Sequence, residues 1–128
     1  MAKTRVFISY DYDNDLDLKA MLVGQAANPD SPFYIADWSI KTASPTWLDE
    51  ARRRIRASDM VAVICGLSTH TATGVAAEVT IAKEEGKPYF LLWGRAQGAC
   101  TSPTSARSSD KVYKWTWDNL KALVAGNR

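Results

Sequence analysis

Apolar residues along the chain fall into short continuous runs, separated by longer stretches in which they recur at helical spacing. Val6-Phe7-Ile8-Ser9 and Met60 to Cys65 carry no charged residue, as strands covered on both faces by helices do. Phe33 to Asp37 and Tyr89 to Trp93 read as two further strands, and Lys111 to Trp115 as a fifth, at an edge. Asp13-Asn14-Asp15 supplies capping side chains for a helix from about Leu16 to Ala27. Asn28-Pro29-Asp30-Ser31-Pro32 breaks the chain before the second strand, and a polar loop runs from Trp38 to Ala43. Ser44-Pro45 opens the next helix, with serine as N-cap and proline at the first helical position. Trp47, Leu48, Ala51 and Ile55 fall on one face of it. A third helix carries Glu78 and runs to about Glu85, with Gly86 as its terminator. Gly94 to Asp110 is rich in Gly, Ser, Thr and Pro and reads as a mobile loop. Leu120, Leu123 and Val124 mark a last amphipathic helix.

Strands alternating with helices imply right-handed crossovers and a parallel sheet. Five strands in 128 residues fit one domain over 1–128, a flavodoxin-like three-layer α/β sandwich with strand order 2-1-3-4-5. Such sheets bind ligands beyond the carboxyl ends of the strands, where the strand order reverses. Here that crevice lies between the first and third strands. The loop after Ser9 brings Tyr10 and Asp11 to it. The loop after Cys65 brings Ser68, Thr69, His70 and Thr71, with Glu78 in the first turns of the following helix.

Composition removes some functions and adds none. The net charge is only +2, which gives no case for nucleic-acid binding. Two cysteines make no disulfide framework: Cys65 reads as a small buried hydrophobe and Cys100 lies in a polar loop. No secretory leader and no bilayer-spanning apolar run is visible, so the expected location is cytoplasmic. There is no GxxxxGK[ST] phosphate loop and no GxGxxG fingerprint. The single histidine, His70, has no cysteine or second histidine for a metal site, and no metal or resident cofactor is expected. The basic run Arg52 to Arg56 follows Asp49 and Glu50 at helical spacing, and paired, solvated side chains account for it.

Glu78 is the leading candidate for chemistry. Its plainer reading is an acidic residue favoured by the helix macrodipole. It is not part of a capping box, because Val75 stands where serine or threonine would be needed. Around it, the carboxyl edge of the sheet offers a candidate substrate-binding set: Phe7, Ser9, Tyr10 and Asp11 from the first strand end. Asp37 and Trp38 follow from the second, and Ser68 and Thr71 from the loop after the third. Each has a second reading. Phe7 fits the core, Tyr10 an edge cover, Asp11 a helix cap and Trp38 a packed loop anchor.

These residues together resemble the TIR-domain family. Val6-Phe7-Ile8-Ser9-Tyr10 is similar to its first strand, and Ser58-Asp59-Met60-Val61-Ala62-Val63-Ile64 to its third strand with the preceding serine. Glu78, four positions after Gly74, falls where enzymatic TIR domains carry a catalytic glutamate. The TIR-like group that includes the NAD-consuming component of the Thoeris anti-phage system is most similar. The likeness lies in Leu22-Val23-Gly24-Gln25 to Asn28-Pro29-Asp30-Ser31, Ser44-Pro45 with Trp47, Arg52 to Arg56, and Glu78 to Ala82 with Gly86-Lys87-Pro88. It covers nearly the whole chain and is weakest from Gly94 to Asp110.

The resemblance implies cleavage of the nicotinamide–ribose bond of NAD⁺ by Glu78. It also implies a cyclised ADP-ribose messenger read by a separate effector protein, and self-association into TIR assemblies. The position four residues before the glutamate is aromatic in many enzymatic TIR domains and is Gly74 here. The loop after the second strand lacks the Pro-Gly pair of animal TIR domains. Two other readings stand beside this one: a non-catalytic TIR-like interaction module, and a nucleoside deoxyribosyltransferase-like enzyme using a glutamate for similar glycosidic chemistry. Fold alone does not choose among them.

Overall fold

Every strand of the sheet runs parallel to its neighbours, and helices cover both faces. The computed structural model describes residues 4–12, 14–39, 46–95, 98–106 and 110–126. The elements are β1 (Thr4–Ser9), α1 (Leu16–Ala26), β2 (Phe33–Trp38), α2 (Trp47–Arg56), β3 (Met60–Cys65), α3 (Thr73–Glu84), β4 (Tyr89–Trp93), β5 (Val112–Lys114) and α4 (Trp117–Val124). The strand order is β2-β1-β3-β4-β5, the flavodoxin-like arrangement expected from the alternation of runs.

The pleat of the two central strands divides the interior. Val6, Ile8 and Tyr10 of β1 and its continuation join Ala62 and Ile64 of β3 under α1 and α4, with Leu18, Leu22, Leu120 and Leu123. Phe7 of β1 joins Val61, Val63 and Cys65 under α2 and α3, with Ala51, Ile55, Val75 and Val79. β3 is buried along its whole length, which is why its sequence shows no polar alternation. Each of the larger apolar side chains sealed here contributes about 1.5–3 kcal/mol through removal from water.

Local chemistry explains the helix ends. After α3, Gly86 adopts φ +68°. The Lys87 amide then donates to the Ala82 carbonyl at 2.8 Å and the Gly86 amide to Lys83 at 3.2 Å. This is a Schellman closure, and the left-handed residue it requires is glycine. The start of α1 departs from expectation. Asp15 occupies the N-cap position but makes no side-chain capping bond. Its carboxylate instead turns inward, 3.1 Å from Arg95 beyond β4, and packs where a Cβ on Gly66 would lie. Asp13 of that expected cap, and the Ser44-Pro45 start expected before α2, lie outside the described residues.

The basic run of α2 is consumed by ion pairs. Arg52 reaches Glu84 and Glu85 of α3, Arg56 reaches Glu85, and Arg54 joins Glu50 to Asp37 of β2. The described part of the loop after β4 is held by specific bonds. Thr101 donates from its amide to Gly66, and the Ser105 hydroxyl donates to the Ala76 carbonyl at 2.6 Å. Among the described residues, no helix is long and apolar enough to cross a membrane.

Candidate active site

Glu78 lies on the face of α3 that packs against the sheet, and only 1% of it is exposed. A carboxylate this deep must find donors or stay protonated. Two hydroxyls meet it: Ser9, the last residue of β1, donates to Oε1 at 2.7 Å, and Ser39, just past β2, donates to the same oxygen at 2.6 Å. Burial pushes the carboxyl up to about 7, and the bonds from Ser39 and Ser9 oppose that rise. A group titrating there is poised to exist in both protonation states near neutrality.

Ser39 reaches this face because β2 is irregular. Val6 pairs with Ile35, but Phe7 pairs with Asp37 and Ile8 with Trp38, so the register skips Ala36. One extra residue inverts the parity of everything after it. Ile35 packs with the α1 layer. Beyond the bulge, Asp37 meets Arg54 of α2 at 2.7 Å, Trp38 lies beneath Lys19 of α1, and Ser39 turns to Glu78 of α3. The Ser39 backbone is fixed as well, its amide donating to the Ile8 carbonyl at 2.9 Å. Its Oγ accepts from the Tyr10 amide at 3.1 Å.

Of the residues expected around Glu78, Ser9 is the one the structure joins to it by a hydrogen bond. Phe7 is sealed in the apolar cluster on the same side of the sheet. Tyr10 is buried on the opposite side, stacked on Tyr12 with ring centroids 5.9 Å apart. Its hydroxyl has no hydrogen-bond partner among the described residues, and burial pushes that hydroxyl up to about 12. Asp11 is buried and accepts from the Asn14 side chain at 2.7 Å. Asp37 is committed to Arg54, and Trp38, 38% exposed, carries the Lys19 ammonium 4.4 Å from its ring centroid. Neither is hydrogen-bonded to the glutamate. Ser68 and Thr71 bond to each other across a single helical turn, Thr71 Oγ1 donating to the Ser68 carbonyl at 2.8 Å. His70 pairs with Thr101 on the surface.

Sequence reasoning missed Ser39. It fell in a stretch read as polar loop, and nothing in composition marks the skipped Ala36 that aims it inward. Among the described residues, no group of three or more His, Cys, Asp or Glu side chains is placed to hold a metal ion.

A parallel 2-1-3-4-5 sheet with a glutamate buried against the end of β1 makes this a flavodoxin-like α/β domain, an architecture consistent with a TIR-like domain. The family model for the Thoeris protein ThsB, TIR-like domain, matches residues 7–97. The chain belongs to that family, which places it among defence-related TIR-like proteins. The match takes in the end of β1 from Phe7, all of β3, Ser39 and Glu78, and ends just after β4. No curated protein matches the chain.

Proposed function

We propose that this protein cleaves the nicotinamide–ribose bond of NAD⁺, with Glu78 as the catalytic carboxylate. The observation that carries the reading is the buried Glu78 carboxylate, gripped on one oxygen by Ser9 and Ser39 at the carboxyl edge of the sheet. Membership in the Thoeris ThsB TIR-like family supports it.

One carboxylate is chemically sufficient. Glycoside hydrolases use two because the leaving oxygen must be protonated. In NAD⁺ the C–N bond breaks with its electron pair going to the pyridinium nitrogen, so nicotinamide leaves neutral and takes no proton. Positive charge develops on the ribose, and an ionised Glu78 facing it stabilises the oxocarbenium-like transition state. Attack by water, which loses a proton, gives ADP-ribose. Attack by a nucleophile of the adenosine half gives a cyclic form, favoured where water is excluded. We assign the cyclic product, acting as a messenger for a separate effector protein, as the output. Self-association and cytoplasmic residence belong to the same proposal.

The near-complete burial of Glu78 also favours a second reading, a TIR-like interaction module in which the Ser9–Glu78–Ser39 contacts only join α3 to the sheet. Incubating concentrated protein separately with NAD⁺ and with free deoxynucleosides, and resolving products by chromatography and mass, separates the readings. Nicotinamide with a cyclic or linear ADP-ribose is the expected result. Turnover of deoxynucleosides alone would transfer the glutamate to deoxyribosyl chemistry, and turnover of neither would leave the interaction module.

A further inference from the structure

We infer that Ser39 is a positioning residue for Glu78: with Ser9 it holds Oε1, and so assigns Oε2 as the oxygen that faces the reacting sugar. The inference rests on the NAD⁺-cleaving reading for its catalytic consequence, but the positioning itself is a property of the hydrogen bonds.

A serine hydroxyl has one proton to donate. The Tyr10 amide can only donate, and it points at Ser39 Oγ from 3.1 Å. The Ser39 proton is thereby directed away from that amide, toward Glu78 Oε1 at 2.6 Å or the Ile8 carbonyl at 3.4 Å. The shorter contact, to a group that carries charge when ionised, is the stronger. Ser9 donates to the same Oε1 at 2.7 Å. An oxygen receiving two O–H donors cannot itself carry a proton pointing at them. When Glu78 is protonated the proton resides on Oε2, and when it is ionised Oε2 is the oxygen left for a partner. The same two donors meet Oε1 in both states, and they hold the ionised form more strongly.

The device depends on the skipped Ala36. With regular pairing, residue 39 would share the face of Ile35, toward α1, and the hydroxyl would point away from α3. The bulge therefore places a donor on Glu78 that the strand's own alternation would not supply.

The test titrates Glu78 directly in the full chain. Carbon-13 in the glutamate carboxyls reports the midpoint by NMR, with Glu78→Gln assigning the resonance. Among the described residues, burial and the bonds from Ser39 and Ser9 set the Glu78 titration; the Tyr10 hydroxyl, which burial and the nearby Tyr12 and Glu78 push up to about 12, stays neutral throughout the range. Ser9 and Ser39, the other polar contacts, do not titrate. In Ser39→Ala the midpoint should rise by about one pH unit, the scale of one hydrogen bond to a charged group. Ser39→Thr, which keeps the hydroxyl, should restore it. Ser9→Ala should move it in the same direction, so the claim stands or falls even if one variant does not fold. With NAD⁺, Ser39→Ala should lower kcat at least about tenfold while KM changes little. An unmoved Glu78 midpoint in Ser39→Ala, or an unchanged kcat, would overturn the inference. Absence of wild-type turnover would overturn the enzyme reading alone, and the titration would still decide whether Ser39 holds Glu78.

Discussion

The hydroxyl of Ser9 lies 2.7 Å from Oε1 of Glu78, joining positions 69 residues apart in sequence. That bond ties the end of β1 to α3, the helix that follows β3. It is the contact that turns an acidic residue near a helix N-terminus into a held, buried carboxylate.

The ionisation of Glu78 sets the expected pH dependence of activity. The proposed chemistry needs the carboxylate, and burial holds its titration at about 7. The kcat for nicotinamide release should therefore rise through neutral pH, level off near pH 8, and fall about tenfold per pH unit on the acid side. An initial-rate series from pH 5 to 9 checks this. A plateau extending unchanged down to pH 5 would remove Glu78 from the ionisation that governs the rate.

The same burial makes Glu78 a liability to the folded state. Folded protein keeps a proton on Glu78 between about 4.5 and about 7 that the unfolded chain has released. Stability from this group is thus fully present below about 4.5 and is lost as pH rises through about 7. The loss is on the order of 3 kcal/mol at most. Glu78→Gln keeps an oxygen to accept from Ser9 and Ser39 but cannot ionise. It should match the wild type near pH 4.5 and be more stable at pH 8, which denaturant unfolding at the two pH values measures.

Gly66 is required by Asp15 rather than by its own backbone. A Cβ built there would lie 2.2 Å from Asp15 Oδ2 and 2.5 Å from Oδ1, while Arg95 holds the carboxylate in place at 3.1 Å. Gly66→Ala should destabilise by about 1–3 kcal/mol, as overpacking does. In an Asp15→Ala background the added penalty should largely disappear. A double-mutant cycle by chemical denaturation reads the coupling, and additive effects would contradict it.

Arg52 pairs with Glu84 at 2.6 Å and Glu85 at 2.7 Å on the surface between α2 and α3. Because these groups are solvated, Arg52→Ala should change stability little, within the scatter of a surface substitution. Nicotinamide release should be unchanged, since the pair stands outside the Ser9–Glu78–Ser39 contacts. An activity assay beside a urea melt tests both statements.

The legible part of the sequence was the part governed by burial on both faces. The charge-free runs Val6 to Ser9 and Met60 to Cys65 announced central strands, and Gly86 announced the end of α3. Glu78 stood out by its position after β3. The hidden part depended on parity and on tertiary charge pairing. Ser39 is aimed by the skipped Ala36, which leaves no compositional trace. Tyr10, Asp11 and Trp38 follow the sheet's carboxyl edge in sequence, yet alternation and local bonding turn them away from Glu78. Asp15 looked like an ordinary helix cap because Arg95, 80 positions distant, cannot be paired with it by spacing alone.

The most direct measurement is nicotinamide release from NAD⁺ by concentrated wild-type protein and by Glu78→Gln, at pH 8. The account predicts release by the wild type and a loss of at least about a hundredfold in the variant, with the variant folded by circular dichroism. Release that survives in Glu78→Gln would place the chemistry on another residue and contradict the account at its centre.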